Sequence, residues 1–141
     1  MISFQWTQYP DMADPKLVRT QVFHQEQGFS LEGEFDETDK TAHHIVACED
    51  GAPVGTGRLF SEDGLVWHIG RVAVLPQCRG QHLGARMMTE MEQKARELGG
   101  SSVELSAQVQ ARGFYATLGY APRGEEYLDE HCPHIDMIKT L

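Results

Sequence analysis

Cysteine is scarce in this chain: Cys48, Cys78 and Cys132 are the only three in 141 residues. They form no evenly spaced framework, and an odd count leaves at least one unpaired within a monomer, so reduced thiols are expected. Positive charge is also in short supply. Twelve Lys and Arg face 21 Asp and Glu, for a net charge of -9, which opposes nucleic-acid or anionic-membrane binding and favours cationic partners. No apolar stretch is long enough to cross a bilayer, and Met1-Ile2-Ser3-Phe4-Gln5-Trp6 has no basic region followed by an apolar run, so a cytoplasmic location is expected. Repeats and low-complexity tracts are absent. So are the dinucleotide fingerprint G-x-G-x-x-G, the G-K-[ST] ending of a P-loop, and the metal spacings C-x-x-C and H-E-x-x-H.

What is present is an ordinary globular composition. With 40% hydrophobic residues, the chain is long enough to bury a core without staples, and residues 1–141 are expected to form one domain. Alternation predicts a first strand over 2–6, and the spacing of Leu17, Val18, Val22 and Phe23 predicts a helix over 16–27 closed by Gly28. The acidic stretch 32–40 reads as a polar loop. Hairpin strands are expected over 44–49 and 54–60, joined at Asp50-Gly51-Ala52-Pro53, then a fourth strand over 65–74. A helix over 80–98 carries Leu83, Met87, Met91, Ala95 and Leu98 as its buried stripe and stops at Gly99-Gly100. A strand over 102–107, a helix over 110–118 and strands near 120–128 and 134–140 complete an α/β (α+β) order, a mixed sheet flanked by helices.

The most informative segment is Arg71-Val72-Ala73-Val74-Leu75-Pro76-Gln77-Cys78-Arg79-Gly80-Gln81-His82-Leu83-Gly84-Ala85, a buried-strand pattern running through a short polar loop into the long helix. Amides at a helix start have no partner inside the helix, and the aligned peptide dipoles favour an anion there. Gly80 and Gly84 keep the backbone bare, while Arg79 adds a fixed positive charge. Glycine-containing strand-to-helix turns are nevertheless common, and a second feature is needed.

That feature is the later Phe114-Tyr115-Ala116-Thr117-Leu118-Gly119-Tyr120. The chain here resembles the GNAT superfamily of acyl-CoA-dependent N-acyltransferases: the loop corresponds to its [QR]-x-x-G-x-[GA] pyrophosphate signature and the later segment to its F-Y-x-x-x-G-[FY] element. Val22-Phe23-His24-Gln25-Glu26-Gln27-Gly28, Glu34-Phe35-Asp36-Glu37-Thr38-Asp39, Ala42-His43-His44, Ser106-Ala107-Gln108 and Pro133-His134-Ile135-Asp136-Met137 are similar to the ElaA-type branch. One departure stands out: the first signature glycine is His82 here, while Gly84 keeps the second.

The resemblance implies a GNAT fold, a central mixed, mostly antiparallel sheet of six to seven strands splayed between strands four and five. It also implies acetyl-CoA as co-substrate, with pantetheine against the main chain of Val72, Ala73 and Val74 and the pyrophosphate on Arg79, Gly80, Gln81, His82, Leu83, Gly84 and Ala85. Transfer to an amine needs a neutral nitrogen, an oxyanion donor and a proton for the departing thiolate. Tyr115 matches the family's tyrosine acid, though a tyrosine on an apolar helix face is also an ordinary packing residue. A Val72 amide is the expected oxyanion donor. For the base, Glu26 and His134 both qualify by chemistry, with a solvated glutamate and a structural histidine as the plain alternatives.

Glu26, His44, Arg58 and Arg71 are further candidates for acceptor or acyl binding, the arginines being equally suited to pairing with acidic neighbours. The set His131-Cys132-x-His134, with His43-His44 and Asp129-Glu130, contains metal-ligand chemistry without metal-ligand spacing, and no metal is expected. Cys78, just ahead of Arg79, raises the idea of a covalent acyl relay, but no histidine is placed in sequence to activate it, and a packed or idle thiol is expected. The functional expectation is therefore an acetyl-CoA-dependent N-acetyltransferase acting on a primary amine by direct attack in a ternary complex. A non-catalytic acyl-CoA sensor is the alternative, and a homodimer is one assembly the family uses.

Overall fold

The computed structural model describes all 141 residues. Strand β1 (Ile2–Thr7) leads to helix α1 (Ala13–Arg19), which widens without a break into a π-helical segment, Thr20–Glu26. Helix α2 (Leu31–Glu34) and a 3-10 turn, Glu37–Lys40, precede strands β2 (His43–Glu49), β3 (Ala52–Ser61) and β4 (Val66–Val74). After a 3-10 turn at Pro76–Cys78 come helix α3 (Leu83–Glu97), strand β5 (Ser102–Gln108), helix α4 (Arg112–Thr117) and the hairpin β6 (Ala121–Asp129) and β7 (Cys132–Thr140). The seven strands form one sheet in the order β1-β2-β3-β4-β5-β7-β6. Only β4 and β5 pair in parallel.

The core forms where α1 and α3 lay apolar stripes on the sheet. Val18, Ile45, Leu59, Met87, Met91 and Val103 are fully buried, each contributing about 1.5–3 kcal/mol by leaving water. Helix α3 approaches β3 closely because glycine stands beneath it: a Cβ on Gly57 would lie 2.8 Å from Met91 Cε, and one on Gly55 would lie 3.0 Å from Met87 Sδ.

Three local expectations are corrected. The 32–40 segment is no loose loop: Glu34 and Asp39 are buried, and the segment is pinned by arginines from three elements. The π-helical widening alters the phase of the first helix. Val18 and Val22 are buried whereas Leu17 is 46% exposed. Helix α3 begins at Leu83, not Gly80, and Leu98, expected in its stripe, stands 40% exposed at its end.

The feature that positions the site is a splayed pair of strands. β4 and β5 are paired only from Val66–Ser102 to Ile69–Leu105. Beyond that, β4 stays with β3 while β5 stays with β7, so a wedge opens between Gly70–Val74 and Ser106–Gln108. The cause is a bulge: Thr56 opposes Ala73 and Arg58 opposes Gly70, leaving Arg71 and Val72 against Gly57 alone. Arg71 takes the left-handed conformation, φ 52°, and the extra residue bends and twists the strand away from its neighbour.

Candidate active site

A cavity of about 620 Å³ fills the wedge. Tyr115, His134, Arg58, Arg71 and Arg79 line it, together with the β4 backbone run Val72, Ala73 and Val74. Tyr115 projects from α4, packed edge-on against Phe114 at 5.0 Å and Tyr120 at 6.0 Å. Desolvation pushes its phenol up to about 12, so it remains a proton donor throughout the neutral range.

His134 enters from β7. It is 6% exposed, and its Nδ1 lies 2.9 Å from the Cys132 carbonyl oxygen. A carbonyl only accepts, so Nδ1 carries the hydrogen and Nε2 presents a lone pair. That geometry suits a proton acceptor.

The loop expected to hold a phosphate follows directly from the cavity wall at Arg79. Gly80 has φ 80° with nothing within 4 Å of an added Cβ, a bare left-handed turn open to a ligand. His82 is the N-cap of α3 and also lies in the left-handed region, φ 60°, the conformation that favours the glycine it replaces. Gly84 has a different use: an added Cβ would sit 3.3 Å from Phe114 Cζ, so it allows α4 to pack on α3. Leu83 is a core side chain, which leaves only its backbone for an anion.

Two candidates lie elsewhere. Glu26 stands outside the cavity wall and forms a bidentate pair with Arg79, both contacts at 2.6 Å. This hydrogen bond lowers its pKa, the wrong direction for a base. His44 is fully buried on β2, its Nε2 donating to the Asp39 carbonyl at 3.0 Å, with burial lowering its pKa. It is a neutral structural histidine and touches no substrate space.

Arg58 and Arg71 reach the cavity but are heavily engaged. Arg58 Nη1 donates to Asp36 at 2.7 Å and Asp39 at 3.0 Å, while Arg71 Nε lies 3.0 Å from Glu34. Arg19 closes the cluster on Glu34 and Asp39. The arginines therefore fasten the 31–40 segment over the wedge. Cys78 is buried with its thiol donating toward Glu49 at 3.5 Å, and burial pushes it up, which disfavours the thiolate a relay needs. No grouping of three or more His, Cys, Asp and Glu is placed to hold a metal ion.

A polar set given no role from the sequence stands here: Ser106 and Asp136, which line the cavity, and Tyr127, which bonds to both. Tyr127 donates to Asp136 Oδ1 at 2.6 Å and meets Ser106 Oγ, and its ring stacks on His134. Only the sheet register brings them together, Ser106 opposing Asp136 and Tyr127 opposing His134.

Comparison with known proteins agrees with this geometry. Residues 10–141 match the acetyltransferase (GNAT) domain family. The chain belongs to the GNAT acetyltransferase family. It is 37% identical over 129 residues to the Bacillus subtilis protein named uncharacterized N-acetyltransferase YjcF, covering 91% of each chain. Escherichia coli ElaA superposes with a TM-score of 0.85 at 27% identity, covering 99% of both chains. An acyl-CoA N-acyltransferase from Pseudomonas aeruginosa superposes with a TM-score of 0.83 at 29% identity, again over 99% of both. The GNAT protein is thus an N-acyltransferase of the type that the splayed β4–β5 wedge accommodates.

Proposed function

We propose that this GNAT protein is an acetyl-CoA-dependent N-acetyltransferase that acetylates a primary amine of a small molecule or peptide by direct attack in a ternary complex. The observation that carries the reading is the wedge itself, lined by Tyr115 and His134, with the bare turn at Gly80 next in sequence to its lining residue Arg79. Bound acetyl-CoA would supply the acetyl group and depart as the thiol.

The chain's residues divide the remaining work. The backbone of Val72, Ala73 and Val74 lies along the part of β4 that β5 leaves unpaired, where an extended amide-bearing arm can add as a strand would. The amides from Arg79 to Ala85 hold the diphosphate, and the bulged Val72 amide donates to the oxygen that gains charge as the amine adds. His134 Nε2 takes the proton from the acceptor nitrogen, directly or through water. Tyr115 gives its hydroxyl proton to the departing sulfur.

Calorimetry with acetyl-CoA, followed by a thiol-release assay over a broad panel of amines, tests the proposal on the full chain. Micromolar-range binding with amine-dependent release is expected. Binding without release on any amine would favour the sensor alternative, and no binding would overturn both. A cytoplasmic location and a homodimer belong to the same proposal. No helix is long and apolar enough to cross a membrane, and β6 is an exposed edge strand that a second copy could pair with. Sedimentation velocity reads the assembly.

A further inference from the structure

The cavity's charges are unevenly matched. Each arginine that lines it already faces a carboxylate: Arg58 on Asp36, Arg71 on Glu34, Arg79 on Glu26 and Arg123 on Glu104. Lys139, the cation of β7, is committed to Glu92 at 2.9 Å. Asp136, like Asp129 and Glu130 on the same lining, forms no ion pair, and its register partner Arg123 is bonded to Glu104. The one side-chain partner of Asp136 is the neutral Tyr127 hydroxyl, on Oδ1 at 2.6 Å, and nothing in the protein bonds Oδ2.

Asp136 and His134 are two apart on a strand, so their side chains leave the same face about 7 Å apart at the backbone. Both line the cavity. His134 is more than nine-tenths buried, and with Nδ1 held by the Cys132 carbonyl its Nε2 is an unpartnered nitrogen on that wall. Tyr127 links the two residues, stacking on the imidazole at 6.2 Å and 25° while its hydroxyl holds the carboxylate. Ser106, opposite Asp136 on β5, adds a hydroxyl to the same patch.

We propose that Asp136, oriented by Tyr127 beside His134, anchors the ammonium group of the acceptor amine. The proposal rests on the acyltransferase reading above and names the residue that receives its acceptor. An alkylammonium ion docks its N–H groups on Asp136, His134 Nε2 takes one proton to become imidazolium, and the nitrogen lone pair so freed is the nucleophile. A neutral arylamine or a neutral alcohol of the same shape can donate a hydrogen bond to the carboxylate but forms no ion pair with it.

The test measures binding of two probes, 1-butylamine and 1-butanol, to the full chain by NMR titration, with and without saturating CoA. A partly exposed carboxylate-ammonium pair of about 1 kcal/mol corresponds to roughly a fivefold preference for the amine. In Asp136→Asn that preference is expected to fall to about one while CoA affinity and thermal stability hold. Tyr127→Phe keeps the stacked ring and loses the hydroxyl, and its preference is expected to fall between the two. Equal affinity of the native protein for amine and alcohol would overturn the proposal, as would a preference that survives in Asp136→Asn. Loss of CoA binding alone would count against the acyltransferase reading and leave the probe comparison intact.

Discussion

Glu26 and Arg79 form a bidentate ion pair, 2.6 Å at each contact, that joins the end of the π-helical segment to the start of the loop before α3. Arg79 also donates from Nε to the Val74 carbonyl at 3.0 Å, so one guanidinium ties together the π-helical segment, β4 and the loop proposed to bind the diphosphate. A diphosphate arriving at this loop competes with a carboxylate that is already there. Exposed pairs of this kind contribute about 0–1 kcal/mol. Glu26→Gln is therefore expected to tighten CoA binding by roughly two- to fivefold in calorimetry. Weaker binding in that variant would mean that the carboxylate holds Arg79 in its binding pose.

Tyr115→Phe removes the proposed proton donor while keeping its ring against Phe114 and Tyr120. General acid catalysis contributes about 10²–10⁴-fold, so turnover is expected to drop by at least about 100-fold with acetyl-CoA affinity nearly unchanged. The native pH-rate profile carries a matching signature. Because desolvation holds the phenol near about 12, Tyr115 stays protonated as pH rises past neutrality, and no loss of rate below pH ~10 should trace to it. Full activity in the phenylalanine variant would remove Tyr115 from the chemistry.

Much of this site was legible in the residues because it is local. The shift from strand to helix periodicity around Arg79, the bare turn at Gly80 and the Phe114-Tyr115 element are each contiguous in sequence, whereas the wedge was expected only through the family resemblance, because the bulge beside it depends on how β3 and β4 pair. The 31–40 segment was not legible. Its carboxylates read as solvated, since burying Glu34 and Asp39 depends on Arg19, Arg58 and Arg71, which come from α1, β3 and β4. Ser106, Tyr127 and Asp136 likewise become neighbours only when β5, β7 and β6 are set in register. His82 was visible as a departure from the signature, but its left-handed backbone was not.

That backbone makes a prediction about His82. A side chain in the left-handed region costs about 1–2 kcal/mol, offset in a glycine variant by the greater freedom of the unfolded chain, about 0.5–1 kcal/mol. His82→Gly is expected to raise stability by roughly 0.5 kcal/mol, read as an upward shift in the urea midpoint. The same variant assigns the imidazole a role. Tighter CoA binding would mean that it crowds the phosphates, and weaker binding that it contacts them.

The buried ion cluster makes the fold acid-sensitive in a defined window. Burial works against the Asp39 carboxylate, but hydrogen bonds and charge from Arg19, the Asp36 amide and Arg58 outweigh it and bring its pKa down to about 2. A folded value below the unfolded one of about 3.9 means stability is fully present above pH ~4 and is lost as pH falls toward 2, by about 2 kcal/mol. Glu34 acts in the opposite sense: burial raises its pKa despite Arg71 and Arg19, so its protonation on acidification relieves the fold before Asp39 fails. Urea midpoints should therefore hold or rise slightly as pH falls toward the ordinary carboxylate range, then drop between pH ~4 and ~2. Asp39→Asn, which leaves Arg19 and Arg58 facing one another with less compensation, is expected to cost about 3–5 kcal/mol at neutral pH and to flatten the acid limb. An unchanged acid limb in that variant would place the sensitivity outside the cluster.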